Sequence, residues 1–266
     1  MRHPATGGLR IILDGALPGP ANMALDQALL DLAQDQAALR IYGWSPACLS
    51  LGYFQALDQV CEAGFVRSSG VGLARRPTGG GAILHQHELT LSLALPASHP
   101  ACSLALEESY RFLTQPVADL LSSLGLKSQL RGPGSADARP LSHKASAGQA
   151  ANCFAGSAST DLLCSGAKVF GSAQRRRPHA LLFHGSLLLS IDQALWQGVF
   201  GPRLGQGFTS LQGQLGRPVA AAELASILAQ GYARALGLEP HTSEPTAAEI
   251  SQAQALEPRF TIAAQA

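Results

Sequence analysis

The chain has 266 residues, 46% of them hydrophobic and only 14% charged. That is enough for one large domain or two small ones with a filled core, and it excludes a disordered chain. A net charge of +1 excludes a general electrostatic pull toward nucleic acid or membrane.

Five cysteines (48, 61, 102, 153 and 164) without a C-x-x-C pair fit a reduced, cytoplasmic protein rather than a disulfide scaffold. No apolar run approaches the roughly 18 residues of a membrane span. Residues 9–14 form a short apolar run ended by Gly15 and read as a strand. Pro18-Gly19-Pro20 breaks the chain before Asn22, placed to cap a helix over 23–33 with Leu25, Leu29 and Leu32 on one face. Residues 39–44 and 49–53, separated by Ser45-Pro46, read as two adjacent strands, and 58–66 as a short helix.

The next stretch is Arg75-Arg76-Pro77-Thr78-Gly79-Gly80-Gly81-Ala82-Ile83-Leu84-His85. Beyond it Leu89, Leu91, Leu93 and Leu95 alternate with Thr90, Ser92 and Ala94, the period of a half-buried strand. The glycines therefore join strand to strand, which excludes the phosphate and dinucleotide loops, since both lead into a helix. What remains is a turn whose bare amides can meet a ligand, or a tight hairpin with Arg75 and Arg76 on a solvated edge. A glycine triplet directly after two arginines favours the ligand. His85 and His87 would share a strand face, but no third ligand is placed by spacing, so no metal is expected.

Residues 102–124 read as a helix with Leu106, Tyr110, Leu113, Val117 and Leu121 inward, kinked or split at Pro116. Residues 131–148 form a loop longer than most connections, expected to be mobile or functional. Residues 161–164, a Ser165-Gly166 turn, 168–174, the Arg175-Arg176-Arg177-Pro178 turn and 180–189 read as an antiparallel meander. Lys168 starts its middle strand. Between Ala145 and Gln174 its only charged companion is Asp161, and Gly166, Ala167, Gly171, Ser172 and Ala173 crowd around it. Such an ammonium is a surface residue or a charge held for a ligand, and its burial is costly without an anionic or carbonyl partner. The arginine triplet is a solvated hairpin tip or a contact for an acidic partner or phosphate. Pro218 opens a helix with Leu224, Ile227, Leu228, Ala235 and Leu236 on one stripe, Thr246-Ala247-Ala248-Glu249 is a capping box for the last helix, and 260–266 are expected to fray.

Taken together, these motifs resemble a known family. Residues 75–85 are similar to the R-R-x-T-G-G-G-A-x-x-H signature of lipoate–protein ligases and octanoyltransferases. Residues 166–174 are similar to their G-x-K-[IV]-x-G-S-A-Q element, and Phe183-His184-Gly185-Ser186-Leu187-Leu188-Leu189 to their Q-H-G-S-[IL]-L-L strand. The resemblance extends to Asn22-Met23-Ala24-Leu25-Asp26, Leu51-Gly52-Tyr53-Phe54-Gln55 and Arg217-Pro218-Val219, in order along the chain. It implies an α+β fold of the biotin/lipoate protein ligase kind, with a large, mostly antiparallel mixed sheet, a smaller sheet and flanking helices. Residues 1–266 would be one catalytic domain without a C-terminal accessory domain.

The resemblance also implies a tunnel for a medium-length acyl chain. Arg75, Arg76, Thr78, Gly79, Gly80, Gly81, His85, Gly171, Ser172, Ala173, His184 and Gly185 would contact the substrate, and Lys168 would reach its carbonyl. Cys153-Phe154 matches the Cys-Phe of the cysteine-dependent octanoyltransferases, which makes Cys153 the nucleophile and Lys168 the ammonium that favours its thiolate. Octanoyl–acyl carrier protein would be the donor. A lysine of a lipoyl domain, in a glycine cleavage H protein or a 2-oxoacid dehydrogenase E2 subunit, would be the acceptor, and the enzyme a monomer needing no cofactor. The alternative is a single-domain ligase using ATP and magnesium. Phe183, in place of the usual glutamine, and Leu91, in place of an aromatic residue, are expected to reshape the tunnel or docking face.

Overall fold

Eleven strands and eight helices make up the described part of the chain, residues 7–132, 152–154 and 158–262 of a computed structural model. In order they are β1 (Leu9–Leu17), α1 (Gly19–Leu32), β2 (Ala37–Trp44), β3 (Cys48–Leu51), α2 (Leu57–Val60), α3 (Ala63–Ser68), β4 (Gly72–Arg75), β5 (Ile83–His85) and β6 (Glu88–Pro96). Then come α4 (Leu106–Ser123), β7 (Ser128–Leu130), β8 (Leu162–Cys164), β9 (Ala167–Arg176) and β10 (Ala180–Leu188). The chain continues through α5 (Gln193–Phe200), α6 (Leu211–Leu215), α7 (Ala221–Leu236), β11 (Pro240–Thr242) and α8 (Ala247–Leu256).

Eight strands form one sheet in the order β11-β1-β2-β6-β10-β9-β8-β7, parallel from β11 to β2 and antiparallel beyond, while β4-β3-β5 form a second, three-stranded sheet. The expected large mixed sheet, smaller sheet and flanking helices are present. Strand alternation divides the large sheet's residues between two layers. Leu39, Ile41, Leu91, Leu93, Leu181, Phe183 and Leu187 pack with α4 and α7 in the main core. Tyr42, Trp44, Thr90, His184 and Ser186 face the other way, where the small sheet and α1 leave a cavity.

Several local expectations change. The helix at the start is α1, which begins at Gly19 with a proline in its first turn, where a missing N–H costs nothing. Asn22 is consequently inside it; its amide nitrogen donates to the Leu17 and Gly43 carbonyls, and its Oδ1 accepts from Arg40 Nη2 at 2.7 Å. Strand β1 continues through Gly15 with a register shift between Leu13 and Ala16. The two strands expected to be adjacent, β2 and β3, belong to different sheets. The single helix expected at 58–66 is two, because Cys61 is extended and the Glu62 amide is drawn to Val199 O at 2.7 Å.

Helix α4 runs unbroken through Pro116, preceded by a separate 3-10 turn, and α7 begins at Ala221, past Pro218. The capping box is present on α8. Phe260 does not fray: it is buried against Met23, Tyr42 and Trp44, and its carbonyl accepts from the Arg75 amide. Strand β5 ends at His85, so His87 is exposed while His85 is buried, and the two do not share a face. Residues 133–148 of the long loop lie outside the described residues, as do 263–266.

Phe183 and Leu91 both pack into the main core, Phe183 edge-on to Tyr110 at 6.2 Å. Neither lines the cavity, so the substitutions expected to reshape it act on the helix layer instead. The same alternation explains Gly185. A Cβ there would overlap the ring of fully buried Phe170, on the core side and away from the cavity. Gly185→Ala is expected to cost about 1–3 kcal/mol by overpacking, read as a lowered urea midpoint; an unchanged midpoint would show that Phe170 can yield.

Candidate active site

Lys168 is almost fully buried, and its burial is matched group by group. Strand β9 is held here by a parallel bridge to Phe208, with the Lys168 amide donating to Gly207 O and its carbonyl accepting from Thr209 N, both at 2.8 Å. Of its three ammonium protons, one meets Asp161 Oδ1 at 2.8 Å and one meets the Cys153 carbonyl at 2.9 Å. Cys153 Sγ lies 3.8 Å from Nζ, within reach of the third. The ring of Phe154 stands 5.4 Å from Nζ. Both partners that burial demanded are therefore present, one anionic and one a carbonyl.

Burial opposes the charge on Lys168, but negative charge at Cys153 and the contact with Asp161 outweigh it and hold the lysine above its usual value. Asp161 is fixed in turn, since its Oδ2 accepts from the Ala158 amide at 2.8 Å. Cys153 is tied to the glycine loop through its amide, which donates to Ala82 O at 2.7 Å. Next to it, Asn152 bridges to Ala82 and donates to Leu204 O. Gly171 packs closely on the lysine, since a Cβ there would sit 3.0 Å from Lys168 Cε and 3.3 Å from Nζ.

The four other thiols lie away from the Lys168 ammonium. Burial pushes the thiols of Cys48 up to about 12 and of Cys61 and Cys102 up to about 11, and raises Cys164 as well. A thiol so raised carries little thiolate near neutral pH, which removes the nucleophile.

From Cys153 a cavity of about 430 Å³, its mouth included, runs across the large sheet. Cross-strand register places Gly171 opposite Ser186, Ser186 opposite Thr90, and Thr90 opposite Tyr42. That row spans four strands, about 14 Å at the usual strand spacing. Of the residues expected from sequence, Arg76, Gly79, Gly80, His85, Cys153, Gly171, Ser172, Ala173, His184 and Gly185 line the cavity. Ser172 Oγ is buried without a hydrogen-bond partner among the described residues.

Arg75, Thr78, Gly81 and Lys168 are not on its wall, and Lys168 meets it through Cys153. The Arg75 guanidinium is occupied by the carbonyls of Gly52, Tyr53 and Gln55, at 2.9–3.1 Å. Thr78 Oγ1 stands 2.8 Å from His184 Nε2, behind the lining. Arg76 lies on the wall but spends its donors on protein: Ser50 O and Oγ at 2.9 and 2.8 Å, Gly79 O at 3.3 Å and Gly81 O at 2.6 Å. It shapes the glycine loop and is buried, which corrects the expectation of a solvated edge. The arginine triplet is likewise only partly solvated, because Arg175 donates to Pro77 O and Arg176 to Leu104 O at 3.0 Å.

Sequence reasoning missed Asp161 as the lysine's partner, although its being the only other charge for thirty residues was the available signal. It also missed Tyr42, Trp44, Thr90 and Ser186 on the wall, and the buried Glu88 behind them. Glu88 Oε1 lies 2.6 Å from His85 Nδ1 and accepts from Thr90, while Oε2 accepts from Ser186. Burial works against its charge, but His85 and these hydroxyls outweigh that and hold it below the usual carboxylate range. His85 is lowered, first by its own burial.

Among the described residues no three His, Cys, Asp or Glu side chains are grouped to hold a metal, and no helix is long and apolar enough to cross a membrane. Comparison with known proteins agrees with the geometry. An octanoyltransferase LipM of Symbiobacterium thermophilum is 36% identical over 261 residues, 93% of each chain. Two solved structures share the fold: a lipoate-protein ligase A bound with ATP (23% identity, TM-score 0.78, 96% of this chain and 95% of that one), and a bi-partite lipoate protein ligase of Thermoplasma acidophilum, described with its E2 lipoyl domain (22%, 0.74, 95% and 93%). Residues 18–233 match the lipoyl protein ligase A/B catalytic domain, and the chain belongs to that family.

Proposed function

We propose that this protein is an octanoyltransferase of protein lipoylation, in which Cys153 carries the acyl group between a donor thioester and an acceptor lysine. The observation that carries the reading is the pair at the end of the cavity, Cys153 Sγ 3.8 Å from the Lys168 ammonium. Similarity to LipM octanoyltransferases over 93% of the chain supports it.

In the first step the Cys153 thiolate attacks the carbonyl of octanoyl–acyl carrier protein. The C–S bond to the carrier breaks, and the carrier leaves as a thiolate that takes a proton from solvent. Lys168 holds the negative charge, first on sulfur and then on the carbonyl oxygen, with the one donor that Asp161 and the Cys153 carbonyl leave free. In the second step the neutral amine of a lipoyl-domain lysine attacks the thioester. The amide forms, Cys153 is released as thiolate and the amine's proton passes to solvent. A thioester is exchanged for a thioester and then for a more stable amide, so neither ATP nor a metal is needed. The acceptor is a lipoyl domain of an H protein or E2 subunit, the enzyme acts as a monomer in the cytoplasm, and Gly79, Gly80, Ala173 and His184 lie along the chain of the substrate.

Incubation with octanoyl–acyl carrier protein without ATP is expected to add one octanoyl mass to the intact protein, and Cys153→Ala to abolish the adduct. No adduct on the wild type, together with ATP-dependent transfer of free lipoate, would make the protein a ligase instead.

A further inference from the structure

The wall over which the acyl chain runs is built from side chains that carry polar hydrogens, namely Ser186, Thr90, Trp44 and His85. Three of them meet one carboxylate, and Trp44 reaches it through Thr90. Ser186 and Thr90 donate to Glu88 directly, and Trp44 Nε1 donates to Thr90 Oγ1 at 2.8 Å while its ring stacks on His85 at 3.7 Å.

The proton directions along this chain follow from Glu88, because a carboxylate can only accept. The neutral His85 ring carries its proton on Nδ1, 2.6 Å from Glu88 Oε1, which leaves Nε2 to accept from Ser50 Oγ at 2.6 Å, while Ser50 Oγ accepts from Arg76 Nη1 at 2.8 Å. The protons of Ser186, Thr90 and His85 end on Glu88 and that of Trp44 on Thr90, and the Glu88 carboxylate has no access to solvent and does not itself line the cavity. Along this stretch the wall offers the ligand carbon, because the hydrogens of these four side chains are already spent.

We infer that Glu88 is a specificity-determining positioning residue: by collecting the donors of Ser186, Thr90 and His85, and through Thr90 that of Trp44, it keeps the acyl track apolar and so selects an unfunctionalised hydrocarbon chain over one that bears a polar group. The inference rests on the octanoyl-transfer reading, since the row from Gly171 to Tyr42 is the chain's path only if the reacting carbonyl sits at Cys153. A buried carboxylate kept only for folding would affect all chains alike. Glu88 as proposed affects the ratio between them. Replacing it by glutamine puts an NH2 group among donors, and at least one wall hydrogen loses its acceptor and turns to the cavity.

The test uses two thioesters of equal chain length, octanoyl and 7-hydroxyheptanoyl, and reads the rate of adduct formation on Cys153 by intact mass. The wild type is expected to prefer octanoyl by about a hundredfold, the usual order for an apolar site against a hydroxyl isostere. Glu88→Gln is expected to narrow that preference to about tenfold or less, as one freed donor makes the wall hospitable to a hydroxyl. Glu88→Asp, whose carboxylate is retracted by one methylene, should narrow it in the same direction if Glu88→Gln folds poorly. A wild-type enzyme that takes both chains equally overturns the inference without touching octanoyl transfer. So does a folded variant that loses rate on both chains but keeps the ratio. A wild type that forms no adduct with either chain instead removes the octanoyltransferase reading on which the inference stands.

Discussion

Lys168→Met is expected to slow acylation of Cys153 by about a hundredfold or more, the scale of losing a donor that stabilises developing charge. Separately, it should destabilise the fold by about 3–5 kcal/mol, because it leaves a buried carboxylate without its cation. Two effects of one substitution can be divided. Asp161 is buried beside Lys168 and anchored by the Ala158 amide, so Lys168→Met/Asp161→Asn removes both charges and keeps an acceptor for that amide. The double variant should recover most of the stability and none of the rate. Urea midpoints measure the first and intact-mass time courses the second. If rate returned along with stability, the lysine would be a structural cation and nothing more.

The pH dependence has a definite sign. Lys168 is held above its unfolded value by the charge at Cys153 and Asp161. Its contribution is therefore complete below the unfolded lysine value of about 10.4 and is lost as pH rises through the higher folded value. Across the neutral range this pair should leave stability flat. Asp161→Asn, which removes one of the two partners, should bring the alkaline fall to lower pH.

Arg76→Lys is expected to cost about 2–4 kcal/mol and to lower acylation as well, because an ammonium cannot reach acceptors on two sides that a planar guanidinium spans, and each stranded buried carbonyl costs about 1–3 kcal/mol. Arg76 ties β3, through Ser50, to the carbonyls of Gly79 and Gly81. Gly80 has a φ of 99°, in the region where only glycine is at ease, so this loop owes its shape to external ties as much as to its own backbone. Arg75→Lys is the control. Its carbonyl partners at Gly52, Tyr53 and Gln55 lie in a loop with exposed Tyr53 and Phe54, and water can replace the guanidinium there. A loss within about 1 kcal/mol is expected for it. Equal losses for the two arginines would mean that the loop holds itself.

Octanoyl transfer by way of Cys153, as proposed, fits which cysteine stands where. Cys48, Cys61 and Cys164 are buried and Cys102 is half-buried away from any ammonium contact, whereas Cys153 is half-buried on the cavity wall with its sulfur 3.8 Å from the Lys168 ammonium. The fold is shared with a lipoate-protein ligase A bound with ATP. In the proposed reaction, a thiol next to the lysine would let an acyl group that arrives already activated be passed on without nucleotide.

The sequence by itself determined the elements whose pattern is local. The alternation of Leu89 to Leu95, the Ser165-Gly166 turn and the capping box at Thr246 each carry their structure in a few adjacent residues, and β6, the β8–β9–β10 meander and α8 stand where those patterns put them. Lys168 and Cys153 stood out through the resemblance to family motifs, and the structure brings them within 3.8 Å. The tertiary structure alone decided the partners. That Asp161 neutralises Lys168, that Arg76 folds the glycine loop, that Gly185 makes room for Phe170 and that Glu88 gathers the hydrogens of the acyl track all depend on residues 5 to 98 positions apart meeting across strands. Burial makes such meetings obligatory, since a charge or a donor taken out of water must find its complement wherever the fold brings one, and one-dimensional spacing does not encode where that is.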